Sequence, residues 1–182
     1  MVYKSDKYRL EFHRVGFLRC LALLAFGICG SFFSLGATSA WAMSSQNEQA
    51  IINIEQAMAG EQSAESITAN WSKDVVWFDM IQGNHFGLEA VRNELGKQIA
   101  QLTNIKVQIL NMKVEASDTI AFAFSTQRLS GIGRNGAPDV AITFRQTDGF
   151  IKDSGNWRLV HQHISVPFDP TNGKAIMHPS VN

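Results

Sequence analysis

Beyond residue 42 the chain has neither cysteine nor tyrosine, because Cys20, Cys29, Tyr3 and Tyr8 all lie before that point. Residues 43–182 therefore cannot build a disulfide framework or a thiolate metal site. They keep 11 of the 16 basic and 14 of the 16 acidic residues, a net charge near −3, and contain no basic cluster with interleaved aromatics. Nucleic acid is thus not an expected partner. There is no internal repeat and no low-complexity segment. One glycine-rich run, Gly131-Ile132-Gly133-Arg134-Asn135-Gly136, joins two strand-like stretches rather than a strand to a helix. That placement excludes a phosphate loop.

The N-terminus carries an export pattern. Lys4, Lys7, Arg9, Arg14 and Arg19 precede an apolar run from Leu21 to Leu35, followed by Ala40-Trp41-Ala42. Basic, then apolar, then small residues at the −3 and −1 positions predict a secretory signal over residues 1–42, cleaved after Ala42. The apolar run is 15 residues, broken by Gly27, Gly30, Ser31 and Ser34. A bilayer span needs about 20. The expected product is a secreted or periplasmic domain over residues 43–182, with no membrane attachment after cleavage.

Within that domain, Ser45-x-x-Glu48 has capping-box spacing and predicts a helix through Met58, with Ile51, Ile54 and Met58 as its apolar stripe. A second helix is predicted from Ser63 to Trp71 and a third from Leu88 to about Leu102, where Leu88, Val91, Leu95, Ile99 and Leu102 recur at helical spacing. Asp74 to Ile81 reads as a strand ended by Gln82-Gly83-Asn84, and the chain from Ile105 onward is nearly all strand. Helices first and long strands afterwards predict an α+β fold. Trp157, Phe122, Phe124, Phe144 and Phe150 are expected in its core.

The stretch Ile142 to Asp169 predicts a hairpin about Lys152-Asp153-Ser154-Gly155-Asn156. A symmetric turn puts Phe144 opposite Ile164, Asp148 opposite Val160 and Arg145 opposite His163. Alternation then gives one face Phe144, Gln146, Asp148, Phe150, Val160, Gln162, Ile164 and Val166. The other carries Thr143, Arg145, Thr147, Trp157, His161, His163 and Ser165.

Phe144-Arg-Gln-Thr-Asp148, followed by Gly155-Asn-Trp157-Arg-Leu-Val-His161-Gln-His163-Ile-Ser165-Val-Pro167, resembles the SnoaL-like, ketosteroid-isomerase-like branch of the nuclear transport factor 2 superfamily. Asp74-Val-Val-Trp-Phe-Asp79 and Gly87-Leu-Glu-Ala-Val-Arg92 fit the same pattern. The resemblance implies a cone-shaped fold, three N-terminal helices packed in a curved, four- to five-stranded antiparallel sheet that encloses a pocket. The final hairpin also resembles the association domain of calcium/calmodulin-dependent protein kinase II, which assembles and does not catalyse.

The isomerase resemblance implies Asp79 as a catalytic base and Asp148 as a protonated acid near an oxyanion, with no cofactor. It also departs from the pattern, since the oxyanion tyrosine of the first helix is replaced by Asn53 or a close neighbour. Alternatives stay open for both acids. Asp79 could cap the loop Gln82 to His85, and Asp148 could pair with Arg158 across the hairpin. The expected pocket is Trp71, Phe78, Met80, His85, Gln146, Val160, Gln162 and Ile164, holding a small apolar ligand. His161 and His163, at i and i+2, point the same way and could form an acid–base pair or a metal site. With no third ligand evident, no metal is expected, and Arg145, Thr147, His161 and His163 read best as a polar ladder in a homodimer interface.

Overall fold

The computed structural model describes residues 36–81 and 83–179. Of the export pattern at residues 1–42, residues 1–35 with both cysteines lie outside the described residues, as do residue 82 and residues 180–182. The described chain runs α1 (Gly36–Gly60), α2 (Ala64–Ile67), β1 (Trp71–Phe78), β2 (Asn84–Phe86), α3 (Leu88–Ala100), β3 (Leu102–Ala116), β4 (Ile120–Gly133), β5 (Val140–Asp153) and β6 (Asn156–Ser165). The α+β segregation holds. The first helix already runs through Ser45, so the Ser45-x-x-Glu48 spacing does not mark its start. Ser63 does cap a helix: its hydroxyl accepts the Ser66 N–H, and Ser66 returns the bond to the Ser63 backbone. That helix stops at Ile67, and Trp71 opens β1 instead of ending α2.

The sheet has six strands in the order β2-β1-β6-β5-β4-β3, not four or five. It is also not wholly antiparallel. β1 pairs with β6 in parallel, through Val76 with His161, Trp77 with Gln162 and Phe78 with His163. The extra edge strand β2 pairs with β1, Trp77 facing His85.

One face of the sheet meets the helices. The core joins Ile51 of α1 and Val91 of α3 to Trp71, Val75 and Trp77 of β1, Ala121 and Ala123 of β4, Phe150 of β5, and Trp157 and Leu159 of β6. On β4 the expected burial is inverted. Ala121 and Ala123 face α1, whereas Phe122 and Phe124 are 46% and 44% exposed on the opposite face. Small residues let the helix approach the strand closely, and alternation leaves the bulky ones outside.

The β5–β6 turn has two residues, Ser154 (φ 48°) and Gly155 (φ 83°), between paired Asp153 and Asn156. Positive φ at both central positions is what a type I′ turn requires. Pairing then runs Lys152 with Trp157 and Phe150 with Leu159, breaks, and resumes as Gly149 with His161 and Asp148 with Gln162. Val160 is the extra residue of a β-bulge. Asp148 thus faces Gln162 rather than Val160, and Thr147 rather than Arg145 faces His163. Leu159 and Trp157 are buried on the helix side, so Trp157 is not on the face first assigned to it.

Candidate functional site

Between helices and sheet lies a cavity of about 310 Å³. Its walls are mostly aliphatic and aromatic, including Met58, Trp71, Ile99, Leu129, Ile142, Phe144 and Ile164. That is the composition of a small-molecule pocket, at the small end of the usual size range. Among its lining residues no lysine, arginine or histidine occurs.

The polar part of the wall centres on two buried carboxyl groups. Glu55 sits on α1 four residues after Ile51 and three before Met58, so the helical period carries it onto the apolar stripe. Asp148 on β5 faces the same way as Gln146, two residues earlier. Glu55 is 1% exposed and Asp148 is not exposed at all. Gln146 Nε2 donates to Asp148 Oδ2 at 2.6 Å and lies 3.4 Å from Glu55 Oε2. Gln162 Nε2 donates to the same Asp148 oxygen at 3.4 Å.

Burial pushes the Glu55 carboxyl up to about 10, with the Asp148 charge and hydrogen bond adding to the rise. Burial also raises Asp148, to about 6, against hydrogen bonds from Glu55, Gln146 and Gln162 that pull it down. Two carboxylates cannot both ionise at such contact in an apolar wall, so Glu55 holds a proton and shares it with ionised Asp148. Glu55 Oε1 and Asp148 Oδ1 are buried with no hydrogen-bond partner among the described residues.

Asp79 follows β1 and lines the same cavity. Its N–H donates to Gly83 O at 2.8 Å, and Gln98 Nε2 of α3 donates to Asp79 Oδ2 at 2.8 Å. Trp71, Met80, Gln146, Gln162 and Ile164 also line the cavity. Asp148 stands just behind the wall, bonded to residues that form it.

Three residues expected in the pocket lie elsewhere. Trp77 points inward, so its neighbour Phe78 points outward, with its ring edge-on to His161 and His163 at 5.0 and 5.8 Å between centroids. The bulge turns Val160 out of the wall. His85 lies over the Trp77 ring at 5.1 Å, outside the lining. Asp148 does not pair with Arg158, whose guanidinium reaches Ala69 O at 3.4 Å. Arg145, Thr147, His161 and His163 are on the face away from the cavity. His161 Nδ1 lies 3.1 Å from Val76 O. Among the described residues no three histidine, cysteine, aspartate or glutamate side chains gather as metal ligands do.

Glu55, Gln98 and Gln127 join the polar wall, as do Glu61, Gln62, Glu94 and Gln101, and the sequence singled out none of them. Glu55 had a readable signal: an acidic residue within the stripe Ile51, Ile54 and Met58 must be buried or break the stripe.

Residues 49–169 match the SnoaL-like domain family. No curated protein matches. Among solved structures, a nuclear transport factor 2-like protein of unknown function from Pseudomonas putida KT2440 is 25% identical, covering 78% of this chain and 98% of that one, with a TM-score of 0.64. A candidate dehydratase of the same superfamily from Streptomyces avermitilis is 14% identical (67% and 97% covered, TM-score 0.60). A candidate calcium/calmodulin-dependent protein kinase II association domain from Xanthomonas campestris is 17% identical (63% and 81% covered, TM-score 0.53).

Proposed function

The chain belongs to the SnoaL-like domain family, and from that premise we propose that it binds a small, largely apolar molecule in the cavity and moves a proton on it, as an isomerase or dehydratase does. The observation that carries this reading is the pairing of Glu55 and Asp148, two carboxyl groups of one apolar wall held in different protonation states by burial. Asp79, oriented by Gln98, is the base that takes a proton from carbon. Glu55 keeps the proton of the pair throughout, the single negative charge of the pair rests on Asp148 beneath the amides of Gln146 and Gln162, and Asp79 carries the proton it takes back to a second carbon of the ligand. The reaction class is also the one in the name of the Streptomyces avermitilis relative. On the basic, apolar and small-residue order of residues 1–42, read as an export signal, we assign this activity to a compartment outside the cytoplasm.

The test is exchange of deuterium from solvent into the carbon next to the carbonyl of 6-hydroxy-2-tetralone, followed by NMR. The intact protein accelerates exchange, and Asp79→Asn loses about 100-fold or more of that acceleration. An Asp79→Asn protein as active as the original removes the base.

A second reading is assembly without catalysis. Phe122 and Phe124 stack at 6.3 Å between centroids on the outer face, and Ile120 and Ile151 beside them are exposed. Such a patch suits a second copy of this chain, with Arg145, Thr147, His161 and His163 at its polar margin.

A further inference from the structure

Three glutamines of the cavity wall turn their NH₂ groups toward protein acceptors and leave their carboxamide oxygens without a protein partner among the described residues. Ionised Asp148 offers only lone pairs, so Gln146 and Gln162 must both turn their NH₂ groups toward it. Gln127 likewise points its NH₂ at Ser125 Oγ, at 2.9 Å. The carboxamide oxygens of these three residues accept no bond from the described residues, and none is among the side-chain atoms buried out of reach. All three residues line the cavity. Glu55 is hydrogen-bonded to Asp148, behind the wall. Trp71 Nε1 donates to Met58 Sδ at 3.1 Å, and Trp77 Nε1 has no accessible surface. Gln98 Nε2 is held by Asp79. The wall thus carries the amide oxygens of Gln127, Gln146 and Gln162 and the acidic side chains of Glu61, Asp79 and Glu94, with the Glu55–Asp148 pair at its back and no lysine, arginine or histidine among its lining residues.

We infer that the cavity takes molecules with an apolar body and a polar head that donates hydrogen bonds, a primary ammonium best and a hydroxyl next, and that it rejects carboxylates. An ammonium satisfies the amide oxygens and balances the charge at once. A hydroxyl satisfies one oxygen. A bare carbonyl leaves all three dry and unpaired, and a carboxylate adds repulsion. The inference rests on the cavity being the ligand site, and it narrows the substrates of the proposed reaction to hydroxy or amino compounds.

Four probes with the same ring system test it by calorimetric titration at pH 7: naphthylmethylamine, naphthalenemethanol, acetonaphthone and naphthoate. The amine binds tightest, the alcohol next, the ketone about tenfold or more weaker than the amine, and naphthoate not measurably. A ketone or naphthoate binding as tightly as the amine overturns this inference and leaves the proposed proton transfer standing. No heat from any of the four removes the cavity as a ligand site, and both readings fall together. Asp148→Asn erases the charge and frees the two glutamine NH₂ groups, so the amine and ketone then bind within about threefold of one another. An undiminished preference for the amine in that variant also overturns the inference.

Discussion

Asp148 stands directly across from Gln162 in the β5–β6 pair, and it does so because Val160, two residues earlier on β6, has no partner. The bulge separates two registers: on its turn side Leu159 packs inward, and beyond it Gln162 and Ile164 do. Leu159→Ala therefore removes a fully buried side chain and costs about 2–5 kcal/mol in denaturant unfolding. Val160→Ala costs less than about 1 kcal/mol. Equal losses at the two positions contradict the bulge.

The hairpin also shows what a sequence can and cannot convey. A symmetric turn leaves the register two residues out, one from the two-residue turn and one from the bulge. Shifts of one residue invert the faces, and two restore them. Asp148, Gln146 and Gln162 therefore came to the cavity side as alternation predicts, while Trp157, short of the bulge, did not. The fold class was legible because helical and alternating periods segregate along the chain. The parallel β1–β6 pair was not, because it joins strands some 80 residues apart with no local signal. Phe122 and Phe124 alternate as clearly as core residues. Only the proximity of α1 to β4 gives the inside to alanine.

Glu55 makes stability depend on pH. Its folded value is raised from 4.5 to about 10, so at intermediate pH the folded state holds a proton that the unfolded state has released. The stabilisation is complete below the unfolded value and is lost as pH rises through the folded one, at up to about 1.4 kcal/mol per pH unit. Asp148, raised to about 6, adds to the fall in the lower part of that window. Glu55→Gln keeps a donor to Asp148 and loses the Glu55 contribution. Thermal unfolding from pH 5 to 9 should show a steeper decline for the original protein than for the variant. Parallel curves contradict the buried proton.

The exposed Phe122 and Phe124 predict self-association. Light scattering after size exclusion should give twice the chain mass for the original protein. Phe124→Glu, which sets a charge in that patch, should give a single chain while binding the cavity ligand unchanged. A monomer at every concentration of the unaltered protein refutes the assembly reading.

Gln98 holds Asp79 from α3, with Nε2 2.8 Å from Oδ2. Gln98→Leu removes that bond at a partly exposed position. It should lower kcat for exchange about tenfold, with KM and melting temperature nearly unchanged. A loss confined to KM makes Gln98 a ligand contact instead of a support for the base.

The sharing of one proton by Glu55 and Asp148 underlies the proposed reaction, the pH dependence and the ligand preference alike. Carbon-13 NMR of side-chain carboxyl groups, assigned by comparison with Glu55→Gln, reads it directly. One glutamate carboxyl should have the chemical shift of a protonated acid at pH 7 and begin to titrate only well above it. A Glu55 resonance that titrates near the ordinary value of 4.5 would contradict the account.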